Sequence, residues 1–446
     1  MKTQIEIKKE YNLRERYISI PTKFIISQLA AILWLSISIV LSLHWIFELG
    51  VYTTIPVSIL IIAAISYIPG FLNAFMVSSL LLDKQPKYKI RNPTEPITII
   101  IACYNEEKTI DYNLKCISNQ IYSGKIKVII VDNNSTDKTI KVAKEIGLEL
   151  GIDLMVLSEP TKGKSYALNT ALKYVETPLF ITLDADTLLH KFAINNIVAR
   201  MLAAPDDVCA VAGAVLVRNS RKNILTRIQE WDYFLGIASI KRLQGMYQST
   251  LVAQGAFSLY KTDKIKDVGG WTDSIGEDIV LTWKLLGKKN RVFFEPMAVA
   301  FTDVPENFKH FQRQRSRWAR GMIEALKLIK PWQQPQIYAK FFTGYNLLMP
   351  YIDFVYTFIW IPGLIAACFG YCWVVGIYTV FVLPLAMLQN YILYVYQKYV
   401  FRSLDLKIRK NKIGFFVFIL FYQMVMAPIS VLGYFQELFN LKRKWK

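Results

Sequence analysis

The sequence predicts an α/β domain, a mostly parallel sheet with helices on both faces, combined with an α-helical transmembrane bundle. Three observations carry this expectation: long charge-free stretches near both ends of the chain, strand–helix alternation between them, and polar clusters where predicted strands end.

Hydrophobic residues make up 53% of the 446, but their distribution matters more than their total. From Phe24 to Leu82 the only acid or base is Glu48, apart from the weakly basic His44, and neither Phe354–Gln397 nor Ile413–Gln436 contains any. A helix needs about 20 apolar residues to cross a bilayer. The first stretch therefore holds two spans with a break near Glu48-Leu49-Gly50, the second about two, and the third one more. Segment 24–43 is long for the core of a signal peptide and lacks a small-residue cleavage site. It also runs directly into a second apolar segment, so it reads as an anchor.

Lys2, Lys8, Lys9, Arg14, Arg16 and Lys23 precede the first span, whereas the connection at 44–52 has no Lys or Arg. The positive-inside rule places the N-terminus, and with it the middle domain, in the cytoplasm of a multi-pass protein of the cell membrane. A net charge of +19 fits this bias and an attraction to anionic lipid headgroups. Nucleic acid is not expected as a partner, because no nucleic-acid-binding motif accompanies the charge. The five cysteines show no metal-binding CxxC spacing and receive no role. The C-terminal block brings a conflict. Two spans return the basic loop 398–412 to the cytoplasm, and a third over 413–436 would put the basic tail outside. Three full spans are the plainer expectation; a re-entrant or interfacial segment marked by Pro428 is the alternative. The expected organisation is a basic N-terminus (1–23), two transmembrane helices (24–82) and a cytoplasmic catalytic domain (83–305). Amphipathic interface helices (306–340), two to three transmembrane helices (341–436) and a basic tail (437–446) follow.

Within the middle domain, Ile97–Cys103 is a β-branched apolar run and reads as a buried strand, followed by a helix from Asn105 to about Gln120. A second strand, Ile126–Val131, enters the turn-rich segment Asp132–Asp137, and a helix continues to about Leu150. A strand at 153–157, a Gly/Lys loop, a helix at 165–175 and a strand at 179–183 complete the alternation, which predicts a mostly parallel sheet. In such sheets ligands bind beyond the carboxyl ends of strands. Residues 104–107, 132–137 and 184–186 fall at those ends.

Asp184-Ala-Asp186 offers two hard carboxylates that suit Mg²⁺ or Mn²⁺ completed by substrate phosphates; by itself such a pair is as readily a solvated turn. Glu277-Asp278 opens a helical run, where acids complement the helix dipole or, alternatively, Asp278 acts as a general base. Gln314-Arg-Ser-Arg-Trp318 lies in a basic segment. Arg317 there is suited to clamping a diphosphate and Trp318 to stacking on a sugar, while an amphipathic helix resting on headgroups accounts for the same pattern. Lys162-Gly-Lys164 is a further candidate phosphate contact. Asp353, Gln389, Asn390 and Gln423 are polar residues inside the C-terminal block, where such residues are functional candidates.

Taken in order, Ala102-Cys-Tyr-Asn-Glu-Glu107, Val131–Asp137, Lys162-Gly-Lys164 with Ala167-Leu-Asn169, Asp184-Ala-Asp186, Gly276-Glu-Asp278 and Gln314–Trp318 resemble the motifs of family 2 glycosyltransferases. The resemblance is to the processive membrane synthases of cellulose, chitin, hyaluronan and poly-N-acetylglucosamine, most of all the last. It implies a GT-A fold and an inverting transfer from a UDP-sugar, UDP-N-acetylglucosamine foremost, to a polysaccharide, and the helical bundle beside the site would offer such a polymer a path across the membrane. It further implies Mg²⁺ or Mn²⁺ as cofactor and a small membrane accessory subunit as partner. Carried over residue by residue, Tyr104, Glu106 and Asp132 contact the nucleoside. Lys164 and Asp184 bind the nucleotide-sugar and Asp186 the metal. Asp278 is the base with Glu277 beside it, and Gln314, Arg317 and Trp318 hold the diphosphate and the acceptor end. Two positions depart from the pattern: Asn133 stands where many relatives have an acid, and Gly276 where Thr is usual. The rival expectations are a transferase that moves one sugar to a lipid acceptor, and a non-catalytic membrane transporter or sensor.

Overall fold

In the computed structural model, residues 18–83, 88–376 and 382–441 are described. The eight strands are β1 (Ile97–Cys103), β2 (Ile126–Asp132), β3 (Asp153–Ser158), β4 (Leu179–Leu183), β5 (Leu188–Leu189), β6 (Val208–Val217), β7 (Phe257–Lys261) and β8 (Arg291–Thr302). They form one sheet in the order β3-β2-β1-β4-β7-β6-β8-β5. The half read from the sequence is parallel: β1 lies between β2 and β4, with Ile97 opposite Ile126 and Leu179, and β3 flanks β2. The other half is mixed. β7 runs antiparallel to both β4 and β6, and β5 antiparallel to β8, while β6 and β8 are parallel.

Alternate side chains of a strand face opposite sides of a sheet, and both sides are covered here, which explains the continuous apolar runs. Ile97, Ile99 and Ile101 enter one core, shared with Leu114, Ala143 and Ile197 from the helices Ile110–Ser118, Thr139–Glu149 and Ala193–Ala203. Ile100, Ile129 and Phe180 enter the other, shared with Leu168 of the helix Lys164–Leu172 and Trp283 of the helix Glu277–Gly287. The second core continues without interruption into the membrane-side helices through Phe75 and Leu80.

Among the described residues, four helices are long and apolar enough to cross a membrane: Ile20–Leu41, Ile55–Leu81, Ile337–Cys368 and Lys412–Leu438. The break expected near Glu48 is a short helix, Leu43–Tyr52. A further helix covers Val382–Ser403; the second of the spans expected in the charge-free stretch Phe354–Gln397 falls partly on residues 377–381, outside the described residues, as do most of the basic N-terminus and the last five residues. Phe24 ties the bundle to the sheet domain, packing edge-on against Phe75, Tyr247 and Tyr338 at ring distances of 5.6, 5.5 and 5.1 Å. The buried Asp83 carboxylate accepts from Arg242 at 2.5 Å, so the second spanning helix ends on a charged clamp to the helix Ala238–Met246.

Candidate active site

The loops after β1 and β2 are built on each other. Asn105 takes a left-handed conformation (φ 57°), which Asn tolerates better than most residues, and its Oδ1 accepts from the Thr136 amide at 2.8 Å. The Glu106 amide donates to Thr139 Oγ1 at 2.7 Å, and the Glu106 carboxylate accepts from Thr109 at 2.8 Å. Asp132 accepts from the Ser135 amide at 3.1 Å. Tyr104 is exposed at the rim, and Asp132 and Glu106 are half-buried behind it.

The structure accounts for Asn133. This buried side chain donates to the carbonyls of Glu159 (2.9 Å) and Thr161 (2.7 Å), and it accepts from the Gly163 amide at 2.8 Å. An aspartate cannot donate, so the amide is required to hold the 159–163 loop. Its atoms serve that loop, so the side chain acts as scaffold at this position. Gly163 (φ 143°) then turns the chain into the helix that begins with Lys164.

At the end of β4, Asp184 pairs with Lys164 at short range. Asn113 donates to the carbonyls of Asp184 (3.1 Å) and Thr187 (2.7 Å), fixing the 184–187 turn. Asp186 accepts from Thr302 Oγ1 at 3.3 Å, which brings the end of β8 to the same place. Burial pushes the Asp186 carboxyl up to about 6, and the nearby charges of Asp184 and Glu106 add to the rise against the pull of Lys164. Burial works against the ammonium of Lys164 too, but Asp184, Glu277 and Asp278 outweigh it and raise its pKa. One cation thus faces several carboxylates.

Glu277 and Asp278 start the helix Glu277–Gly287 as the sequence predicts. Burial and the neighbouring Asp278 push Glu277 up to about 7, opposed by Lys164 and Arg317. Asp278 Oδ1 accepts from the Ile279 amide at 2.8 Å. The second departure from the family pattern is also explained. A Cβ on Gly276 would lie 2.8 Å from Cα of Gly321, so the turn before Glu277 and the helix Phe308–Leu328 meet backbone to backbone. Glu324 on that helix accepts from the amides of Ile275 (2.7 Å) and Gly276 (3.4 Å), fixing the approach to Glu277.

The helix Phe308–Leu328 presents the remaining motif. Arg317 is exposed and forms no ion pair among the described residues. The Arg315 guanidinium, held by Asp232 at 2.7 Å, lies 4.2 Å from the Trp318 ring centre, so one face of the indole is already stacked. Trp318 is 41% exposed. Gln314 Oε1 is buried without a hydrogen-bond partner. The structure therefore brings Lys164, Asp184, Asp186, Glu277 and Asp278 into mutual electrostatic contact, with Glu106 and Arg317 at the edge. Tyr104 and Asp132 flank this cluster on the β1–β2 side, and Gln314 and Trp318 on the side of the membrane helices.

Sequence reasoning missed the loop between these two sides. Gly255 stands where a Cβ would be 2.8 Å from Lys164 Nζ. The Ala253 amide donates to Thr282 Oγ1 at 2.9 Å, and that hydroxyl donates to the Asp278 carbonyl at 2.6 Å. Lys241, 8% exposed, holds the same loop by donating to the Val252 carbonyl at 3.2 Å and to Gln254 Oε1. Burial pushes Lys241 down to about 7 against the pull of Asp278. The isolated Gly before a strand pattern was the available signal.

No group of three His, Cys, Asp or Glu side chains that could hold a metal occurs among the described residues. That fits a cation bound by one or two carboxylates and completed by substrate phosphates, and the excess of carboxylate over cation around Asp186 suits such an ion. In the membrane block, Asp353 accepts from Gln423 (3.3 Å) and Tyr434 (2.7 Å), whereas Gln389 leaves its Oε1 unpaired.

Residues 98–269 match the family model for glycosyl transferase family 2. The chain is 34% identical over 246 residues to a poly-β-1,6-N-acetyl-D-glucosamine synthase of Staphylococcus aureus (strain COL), covering 55% of this chain and 58% of that one. It is 32% identical over 272 residues to the synthase of the same name from Staphylococcus epidermidis, covering 60% and 64%. The chain spans about three fifths of the length of these curated relatives. Among solved structures, a mannosyltransferase from Pyrobaculum calidifontis in complex with GDP-Man and Mn²⁺ superposes with a TM-score of 0.60 at 19% identity, over 86% of this chain and 98% of that one, a likeness of fold. Residues 98–269 thus resemble a glycosyl transferase family 2 domain, within a GT-A-type fold whose chain also carries helices long and apolar enough to cross a membrane.

Proposed function

We propose that the protein is an inverting membrane glycosyltransferase that transfers N-acetylglucosamine from UDP-N-acetylglucosamine to a growing β-linked polysaccharide. The observation that carries the reading is the convergence of Lys164, Asp184, Asp186, Glu277 and Asp278 at the carboxyl end of β4, where an α/β sheet binds its ligand. The identity to poly-β-1,6-N-acetyl-D-glucosamine synthases supports this choice of sugar and polymer.

In this reading Asp278 takes the proton from the acceptor hydroxyl as its oxygen attacks the anomeric carbon. The bond from that carbon to the diphosphate breaks on the opposite face, and UDP leaves with the electron pair. Lys164 and Arg317 bind the diphosphate as charge develops on it. Asp186, with Asp184, would hold Mg²⁺ or Mn²⁺, which when bound supplies charge stabilisation to the leaving group. Glu277 feels the charges of both Lys164 and Arg317 and keeps the two cations on the donor side. Tyr104, Glu106 and Asp132 line the nucleoside end. Trp318, stacked on one face by Arg315, offers its other face to an acceptor sugar ring, and Gln314 offers an unused acceptor oxygen. The catalytic domain lies on the cytoplasmic side, where UDP-sugars are available, and the polymer crosses beside the bundle.

Membranes containing the protein, given radiolabelled UDP-N-acetylglucosamine and Mn²⁺ or Mg²⁺, should yield label in water-soluble polymer of increasing length. Label recovered only in a chloroform-soluble product would favour a lipid acceptor, and no UDP release with any nucleotide-sugar would favour a non-catalytic role.

A further inference from the structure

The last apolar helix, Lys412–Leu438, is long enough to cross a bilayer, yet both of its ends are held by the sheet domain and the helix Phe308–Leu328. At its start, Asn411 donates to the Arg227 carbonyl (2.8 Å) and to Glu230 (2.6 Å), and the Trp231 indole donates to the Asn411 carbonyl (2.9 Å). At its end, the buried Glu437 accepts from Arg320 (3.3 Å) and Lys327 (3.1 Å), and Arg320 also donates to the Leu441 carbonyl at 2.9 Å. Arg227, Glu230 and Trp231 belong to the helix Ile224–Trp231, which is bonded through Gln229 to the Pro305 carbonyl at 2.9 Å, just past β8. Arg320 sits one residue from Gly321, which meets the turn before Glu277. Two anchors on one side are incompatible with a helix that starts in one aqueous phase and ends in the other.

The course between the anchors points the same way. Phe311 and Tyr422 have ring centres 6.4 Å apart. A Cβ on Gly433 would lie 2.5 Å from the Ser316 carbonyl oxygen. With Arg320 on Glu437, the two helices run side by side in the same direction over most of their length. The helix Phe308–Leu328 carries Lys309, His310, Arg313, Arg315, Arg317, Arg320 and Lys327, too many charges to cross hydrocarbon. A neighbour aligned along it shares its plane.

We propose that the helix Lys412–Leu438 lies in the leaflet nearest the catalytic domain, seats an apolar face in its lipid, and keeps the C-terminus on the catalytic side. Ile413, Phe416, Leu420, Phe421, Leu432 and Phe435 are exposed at intervals that place them on one face. Tyr422, Gly433 and Glu437 fall on the opposite face, toward the protein. Lys407, Arg409, Lys410 and Lys412 before the helix, and Lys442, Arg443, Lys444 and Lys446 after it in the sequence, suit anionic headgroups at both ends. The partner of this surface is a phospholipid leaflet. Its consequence is mechanical: the lipid-seated helix braces the one that presents Gln314, Arg317 and Trp318. The conflict between a third span and the positive-inside rule disappears, because the basic tail stays with the other basic segments.

The test uses the full chain in native membranes with two protease-cleavable tags, one inserted at the exposed turn at Gly151 and one placed after Lys446. Both should be cleaved from the same face of sealed vesicles; cleavage from opposite faces overturns the proposal. A genetically encoded spin-labelled residue at Phe416, Leu420, Leu432 or Phe435 provides a second measurement. Power saturation should give one shallow depth at all four positions. A steady progression of depth from one leaflet to the other overturns the proposal even if the tags agree.

Discussion

Two sets of charges in this molecule behave in opposite ways. Behind the sheet, three buried acids each hold a cation. Glu295, 1% exposed, holds Arg200 at 2.5 Å, Asp232 holds Arg315 at 2.7 Å, and Glu437 holds Arg320 and Lys327. At the strand ends, Asp184, Asp186, Glu277 and Asp278 gather around Lys164, and the Asp186 and Glu277 carboxyls rise to about 6 and about 7. A fold has no use for uncompensated buried acid, which costs stability unless paired. The paired set is scaffold, and in the proposed function the crowded set is where a divalent cation, bound together with the diphosphate, would complete the charge balance.

The comparison breaks first at Asp186. Asp186→Asn should lower sugar transfer by about 10²–10³-fold, the usual loss for a charge-stabilising group, while leaving the thermal midpoint unchanged or higher. Transfer rates and melting curves on the same preparation check both halves. In the scaffold the pattern reverses. Glu295→Ala removes the buried carboxylate that pairs with Arg200 and should cost about 3–5 kcal/mol of stability, seen as low yield and an early melt, with near-normal turnover per folded molecule. Gly276→Thr, which restores the residue usual in the family, should destabilise by about 1–3 kcal/mol because the side chain meets Gly321; a melting shift accompanied by reduced transfer is expected.

The smallest effect is on pH dependence. The folded pKa of Glu277, about 7, lies above its ordinary value of 4.5, so the folded state binds the proton more tightly and stability falls as pH climbs through that window. Lys241, at about 7 against an ordinary 10.5, is depressed, so above pH 7 the unfolded state holds more protons and stability recovers. The melting temperature of the ligand-free protein should pass through a shallow minimum near pH 7. Glu277→Gln should flatten the acid side and Lys241→Met the basic side.

The same division marks what the sequence made legible. β1 and β2 stood out because buried parallel strands are continuous β-branched runs, and Asp184 and Glu277 because they follow a strand or open a helix. β7 gave no comparable signal: it is five residues long and enters antiparallel between β4 and β6. The roles of Asn133 and Gly276 were invisible because both depend on contacts distant in sequence, the 159–163 loop for one and Gly321 for the other. Lys241 and Gln254 escaped for the same reason. The helix Lys412–Leu438 shows the limit of hydropathy, which reports how apolar a segment is and not where its ends are tied.

The most direct test of the central claim is sugar transfer by Asp278→Asn in purified membranes supplied with UDP-N-acetylglucosamine and Mn²⁺. Release of UDP should fall by about 10²–10³-fold with donor binding retained. Retention of most of the transfer by this variant would contradict the assignment of Asp278 as the base and, with it, the site described here.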